Sequence, residues 1–76
     1  MEQREEELIR QHLAQDNELK ALYDEHQEFK RKLQEFRQKH RLTAEEEIEE
    51  KRIQKLKLAS KDRMMAILGR YHPEAR

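Results

Sequence analysis

The sequence has little of what usually punctuates or cross-links a small fold. It contains no cysteine, one glycine, one proline, two phenylalanines, two tyrosines and no tryptophan. Without cysteine there is neither a disulfide framework nor a thiolate for metal binding or catalysis. Its longest apolar run, MMAIL, is far short of the roughly 20 residues that span a bilayer, and the acidic N-terminus is unlike a signal peptide. We therefore expect a soluble, cytoplasmic protein with no membrane partner.

Charge is abundant, but neither sign is in excess. Charged residues make up 45% of the 76-residue chain, and 17 basic residues balance 17 acidic ones. Such a composition is typical of long helices and coiled coils, and the length allows one small domain. A net charge of zero gives no overall field that would attract nucleic acid or an anionic membrane. These features predict an all-α protein.

Apolar residues recur every three or four positions in both halves of the chain, as on one face of a helix. The first stripe runs from Leu8 to His40 and the second from Ile53 to Tyr71. The pattern favours a coiled-coil-like pairing of two helices. The residues predicted to line this seam are Leu19, Leu22, Phe29, Leu33, Phe36, Ile53, Leu56, Met64 and Ile67.

The stretch QKHRLTAEEEIEE, residues 38–50, predicts a helix end followed by a helix start. Thr43 and Glu46 have the spacing of a capping box. Three glutamates follow Thr43, at the end of a helix where the dipole favours negative charge. Lys39, His40 and Arg41 precede it, as expected for a last turn, where the dipole favours positive charge.

These signals divide the chain into a single hairpin. We predict a first helix over residues 4–40, a turn at 41–43, a second helix over 44–70 and a frayed tail at 71–76. Gly69 and Pro73 would mark the end of the second helix. An antiparallel hairpin of this kind brings Leu19 to Met64 and His12 to Tyr71 or His72.

Blocks of charge agree with an antiparallel arrangement. The basic block 30–41 would face the acidic block 45–50, and the acidic block 16–28 would face the basic block 51–63. Opposite charges favour this orientation more than they stabilise it. Two unbroken helices that cross at residue 42 in a swapped dimer would make the same contacts, so this alternative stays open.

Some apolar residues lie off the main stripes and predict a second surface. Isolated two-helix units of this size bury too little apolar area to offset their chain entropy. We therefore expect two hairpins to assemble into a helical bundle, as a homodimer first and a tetramer second. An unknown protein partner is the alternative. The candidate oligomer face consists of Ile9, Leu13, Tyr23, Leu58, Met65 and Leu68.

Three segments carry a resemblance to a known family. They are DNELKALYDEH (16–26), LTAEEE (42–47) and KRIQKLKLASKDRMMAIL (51–68), and together they resemble the YdcH-like family of small bacterial proteins of unknown function. The family's L-x2-L-x3-H element is matched by Leu19, Leu22 and His26. Its KLxLKD element is matched with Ala59 and Ser60 inserted. The resemblance covers most of residues 8–70; it implies a helical hairpin and no catalytic or ligand residues.

The histidines are the main candidates for chemistry in this sequence. His12, His26 and His40 follow one another every 14 residues, about 21 Å apart along a helix, so they cannot share one metal ion. We interpret them as polar seam positions, and only His12 and His72 can meet in the hairpin.

His26 is the histidine expected to couple stability to pH. Glu25 and Glu28 beside it are expected to raise its pKa, whereas burial would lower it. Ser60 lies on the main stripe with no base predicted beside it, so we interpret it as a packing residue.

No residue pattern predicts a catalytic site, a cofactor or a metal. The sequence instead favours a small structural or protein-interaction module. The alternative is a nucleic-acid-associated accessory protein that acts through the basic stretch 51–63, although this stretch lacks the interleaved aromatic residues of a stacking surface.

Overall fold

The computed structural model describes residues 3–72, which form three α-helices and no strand. Helix α1 spans Gln3–His12, α2 spans Asn17–Arg37 and α3 spans Ala44–Tyr71. The all-α prediction is confirmed. The prediction of two helices is wrong, because the segment 4–40, predicted as one helix, forms the two helices α1 and α2. Pro73 and the end of the predicted tail lie outside the described residues.

The unpredicted break falls between His12 and Asn17. The amides of Gln15 and Asp16 donate to the carbonyl of His12 at 3.2 and 3.0 Å, which closes the last turn of α1. Asp16 then adopts an extended backbone and caps α2, since its Oδ1 accepts the amide of Leu19 at 2.9 Å. The helical spacing of apolar residues continues through this segment, which contains neither glycine nor proline. The main sequence signal for the break is therefore Asp16, a residue type favoured at the N-cap of a helix.

The predicted break before α3 is present. Thr43 caps α3: its hydroxyl accepts the Glu46 amide at 3.1 Å, and the Glu46 carboxylate accepts the Thr43 amide at 2.9 Å. The capping box is thus confirmed. The connection is longer than predicted, because α2 ends at Arg37 and Gln38 forms its C-cap. Lys39 therefore lies beyond the last turn of α2, where its amine pairs with Glu46 across the connection.

Helices α2 and α3 pack closely as an antiparallel pair, which we call the hairpin. Helix α1 contacts both of them. The main hydrophobic cluster draws on all three helices and contains Ile9, Leu19, Leu22, Met64, Ile67 and Leu68. Leu19 and Met64 thus share one cluster, as the predicted fold point requires. Every member comes from the half of the hairpin that holds the chain termini.

The predicted ion pairs between facing charge blocks are largely missing. Within residues 3–72, Lys39–Glu46 is the one ion pair that joins two helices or their connection. The others link neighbours three or four residues apart on one helix, as in Lys20–Asp24 at 3.1 Å. Long exposed side chains reach such neighbours easily, and within the described residues no ion pair joins the acidic block 16–28 to the basic block 51–63.

Candidate interaction surface

The predicted seam residues differ in how deeply they are buried. Six of the nine are buried: Leu19, Leu22, Leu33, Ile53, Met64 and Ile67. Phe29 and Phe36 are half-buried, and Leu56 keeps 37% of its surface exposed. The three less buried residues lie nearer the connection between α2 and α3. We call residues 29–58 the turn half, and residues 3–26 with 60–72 the terminal half.

The candidate oligomer face is mostly internal. Ile9 and Leu68 have no exposed surface, and Leu13, Tyr23 and Met65 are partly buried against the main cluster. They are covered because the chain breaks after His12 and α1 folds back over the hairpin, which a single helix over 4–40 could not do. These six residues therefore do not form one exposed face, and only Leu58 remains open to solvent.

Exposed apolar side chains collect instead on the turn half. Ile48 is 69% exposed and Leu58 is 61% exposed, both on α3. Leu56 lies between them in sequence. The sequence stripe did not include Ile48, yet its position among five glutamates is the signal that it faces water.

A shallow groove between α2 and α3 accompanies these residues. It encloses about 220 Å³ and is lined by Leu33, Arg37, Gln54, Lys57 and Leu58. An adjoining hollow shares three of these residues and adds Lys30 and Gln34. The groove thus has buried Leu33 at its base and three cationic side chains on its walls. Sequence reasoning missed it, although the seven-residue spacing of Lys30 and Arg37 places both on one face of α2.

The cations of this groove are not held in close ion pairs within the described residues. Within residues 3–72, Lys30, Arg37 and Lys57 form no ion pair. The groove is therefore a positively charged strip with an apolar base, on a protein whose overall charge is zero. Such a strip can attract an anionic partner.

Inside the hairpin, His26 and Ser60 form a buried polar pair. The Ser60 hydroxyl donates to the carbonyl of Lys57 at 2.8 Å, so its oxygen is free to accept from His26 Nδ1 at 3.1 Å. The expectation that no base lies beside Ser60 is wrong. The bond has the reverse direction to that of a nucleophile and its base, because the imidazole donates. Both side chains are buried, which keeps substrate from them.

The surroundings of His26 set the sign of its pKa shift. Burial lowers its pKa below the ordinary value, and the nearby charges of Lys30 and Lys57 lower it further. A hydrogen bond to the Lys57 backbone opposes them. The prediction that Glu25 and Glu28 raise the pKa of His26 is wrong. Both carboxylates are exposed, and desolvation of the buried imidazole outweighs their effect.

The C-terminal ends of α1 and α3 meet in a second polar cluster, which fastens the two helices together. His12 Nε2 lies 2.9 Å from His72 Nε2, and the His12 ring stacks on Tyr71 with centroids 4.1 Å apart. The Tyr71 hydroxyl donates to Asp16 Oδ2 at 2.8 Å. The Leu19 amide, and then this hydroxyl, hold the pKa of Asp16 below its usual range. One carboxylate thus caps α2 and holds the end of α3.

This cluster is built for hydrogen bonding. The Gln15 side-chain nitrogen lies 2.8 Å from His12 Nδ1, and an amide nitrogen can only donate. Gln15 is therefore the donor in its contact with His12. No group of three or more metal-ligating side chains occurs in the described part of the chain. His40 lies exposed in the connection, away from the other histidines.

None of the helices within residues 3–72 is long and apolar enough to cross a membrane. Comparison of the chain with protein-family models, with curated proteins and with solved structures finds no match. The resemblance to the YdcH-like family therefore stays a prediction.

Proposed function

We propose that this protein is a small protein-interaction module whose working surface is the turn half of the hairpin. The observation that carries the proposal is the uneven burial of apolar side chains. The terminal half buries Ile9, Leu19, Met64 and Leu68 completely, and Tyr71, at 41%, is its one large apolar side chain that is exposed within the described residues. The turn half leaves Ile48 and Leu58 mostly exposed. Burying each in a partner would contribute roughly 1.5–3 kcal/mol.

The partner proposed first is a second copy of the chain, as a dimer before a tetramer. A twofold arrangement is the commonest closed assembly, and it would cover the same residues on both copies. A different protein in the cytoplasm is the alternative partner. We expect no enzymatic activity, because the groove is shallow and the polar pair of His26 and Ser60 is closed to substrate.

The test combines sedimentation with capture of partners from cell extract. The double variant Ile48→Ser/Leu58→Ser should lose self-association, captured partners or both, while its helix content stays that of the wild type. Ala66→Ser is the matched control, because Ala66 is exposed on α3 in the terminal half. Unchanged mass and unchanged partners in the double variant would contradict the proposal.

A nucleic-acid-associated role is the second candidate, and one observation favours it. The basic stretch 51–63 lacks the cross-helix carboxylates expected to neutralise it. Its one ion pair within the described residues is Arg52–Glu49, at 3.8 Å on the same helix. A labelled oligonucleotide titrated across a salt series tests this role, since phosphate contacts give affinity that falls steeply with salt. Absence of binding at low salt would exclude it.

A further inference from the structure

Helix α1 packs against one side of the hairpin and contacts both α2 and α3. Its Glu6 accepts a hydrogen bond from the Tyr23 hydroxyl of α2 at 3.0 Å, and its His12 stacks on Tyr71 of α3. Between them, Ile9 lies fully buried in the cluster that α2 and α3 share. An acidic, amphipathic helix therefore lies against both members of the hairpin, with its N-terminus directed toward the turn half.

The basic groove continues this side of the hairpin beyond the end of α1. Tyr23, Lys30 and Arg37 are seven residues apart, so they lie along one line on α2. Tyr23 contacts α1, whereas Lys30 and Arg37 line the open groove. The charge of Lys30 also helps to lower the pKa of Glu6, after the larger effect of the Tyr23 hydrogen bond. Lys30 is thus close to both α1 and the groove.

Helix α3 supplies the opposite wall along the same side. Leu68 and Met65 pack in or against the cluster that holds Ile9. Further toward the connection, Leu58, Lys57 and Gln54 line the groove. The covered and open parts therefore lie on the same side of the hairpin, and α1 covers only the terminal part.

The part of the hairpin that α1 covers and the open part beyond it are of similar length. Helix α1 has 10 residues, about 15 Å at the usual rise per residue. The α2 segment that follows Tyr23 runs to Arg37, which is roughly 21 Å of helix. This side of the hairpin beyond Tyr23 therefore has room for a helix of up to about four turns.

We propose that this open basic groove docks an acidic amphipathic helix of a partner protein, placed end to end with α1. Apolar residues of that helix would cover Leu33 and Leu58, as Ile9 covers the terminal cluster. Its carboxylates would pair with Lys30, Arg37 and Lys57. The inference rests on the proposed function and deepens it for the alternative partner, a different protein, by naming that partner's chemistry and the groove that recognises it.

The groove fits a helix of this kind better than a nucleic acid. Leu33 at its base and Leu58 on the α3 wall would lose contact with water against apolar side chains, which a phosphate group does not offer. No aromatic side chain lines it within the described residues, so it has no platform on which bases would stack. A glutamate-rich helix with an apolar stripe satisfies both the cations and the leucines.

The experiment uses a fluorescein-labelled synthetic helix as probe. The peptide has 14 residues, with leucine every three or four positions and glutamate on the flanks. A matched peptide carries lysine in place of every glutamate. Anisotropy should show binding of the acidic peptide to the full-length protein, and at least tenfold weaker binding of the basic one.

Charge reversal in the groove supplies the decisive comparison. Arg37→Glu/Lys57→Glu should weaken binding of the acidic peptide about tenfold, since two favourable charge pairs become repulsive. Lys51→Glu is the matched control, exposed on α3 outside the groove, and should stay within about twofold of the wild type. If the double reversal reduces helix content, Arg37→Gln/Lys57→Gln replaces it, with a smaller loss in the same direction.

Several results would overturn the inference. One is equal affinity of wild type and groove variants for the acidic peptide, and another is no binding of that peptide at hundreds of micromolar. Tighter binding of a single-stranded oligonucleotide that depends on Arg37 and Lys57 would assign the groove to nucleic acid instead. If Ile48→Ser/Leu58→Ser still abolishes association while the peptide never binds, the proposed function stands and this inference alone fails.

Discussion

Thr43 is the N-cap of α3, and substitution of its side chain tests how much the cap stabilises the protein. We predict that Thr43→Ala lowers the free energy of unfolding by about 1 kcal/mol, because an N-cap hydroxyl is lost. Urea titration monitored by circular dichroism measures the change. Thr43→Ser keeps the hydroxyl and should stay close to the wild type. Equal stability of all three proteins would contradict the capping role.

His26 should make stability depend on pH with a definite sign. Its folded pKa is lowered, while the unfolded chain titrates near about 6.5. Between these values the unfolded state binds more protons, so stability rises with pH. We therefore predict full stability above about pH 7 and a loss as the pH falls below about 6.5 toward the folded pKa.

The measurement is the unfolding free energy of wild type and His26→Gln between pH 5 and 8. Glutamine can still donate to Ser60 but does not titrate, so the variant should lose much of the dependence on pH. His40→Gln removes an exposed imidazole and should keep it. A wild type that gains stability on acidification would show that carboxylates, and not burial, control His26.

The same pair explains why the sign of the shift was mistaken from sequence. Glu25 and Glu28 are visible as neighbours in the sequence, whereas burial of the imidazole depends on where α3 packs. The partner of His26, Ser60, is 34 residues away in sequence. Local charge could be predicted, but the desolvation that outweighs it could not.

At the scale of helices, Asp16 contacts the start of α2 and the end of α3, which are far apart in the sequence. Its Oδ1 caps α2 and its Oδ2 accepts the Tyr71 hydroxyl at the end of α3. We predict that Asp16→Ala destabilises the protein by about 1–2 kcal/mol, since both the cap and the tertiary hydrogen bond are lost. The amides of α1 should also exchange faster with solvent.

Tyr71→Phe separates the two roles of Asp16. This variant removes only the hydroxyl and keeps the stacking partner of His12 and the cap of α2, so its loss should be clearly smaller than that of Asp16→Ala. Urea titration and amide exchange of α1 measure both variants. Equal losses would indicate that the cap contributes nothing and that the contact between Asp16 and Tyr71 accounts for the whole effect.

The two helix breaks show what local sequence can predict and what it cannot. The break before Ala44 was predictable because Thr43, Glu46 and the surrounding charges all favour it. The break after His12 depends on Asp16 alone among local signals, without the reciprocal glutamate of a capping box. What fixes it is tertiary: Ile9 gains burial against α2 and α3 only if the chain turns there.

The candidate oligomer face depended on the same unpredicted turn. Ile9, Leu13 and Tyr23 are surplus to a two-helix seam. Within the chain, α1 turns back onto α2 and α3, so that Ile9 is buried in the main cluster and Leu13 and Tyr23 pack against it. Of the six residues only Leu58 belongs to the exposed surface of the turn half.

Across the whole molecule, packing is unequal along a long axis of 42 Å. The terminal half has three helices around one cluster, whereas the turn half has two helices with Leu33 and Ile53 as its buried apolar residues. A two-helix segment with so small a core is expected to open more readily than a three-helix one. The less stable half is the one that carries the exposed apolar residues and the basic groove.

This inequality predicts a gradient of hydrogen exchange. Amides of α2 and α3 in the terminal half should be protected up to the global unfolding free energy, and those within 33–37 and 44–56 should exchange through smaller openings. Exchange measured by nuclear magnetic resonance across a urea series separates the two classes. Leu33→Ala should enlarge the difference, and Leu19→Ala should lower the protection of the terminal half. Uniform protection along both helices would mean that the turn half is stabilised in solution by a contact outside the single chain, and protection that falls on dilution would identify that contact as a second copy.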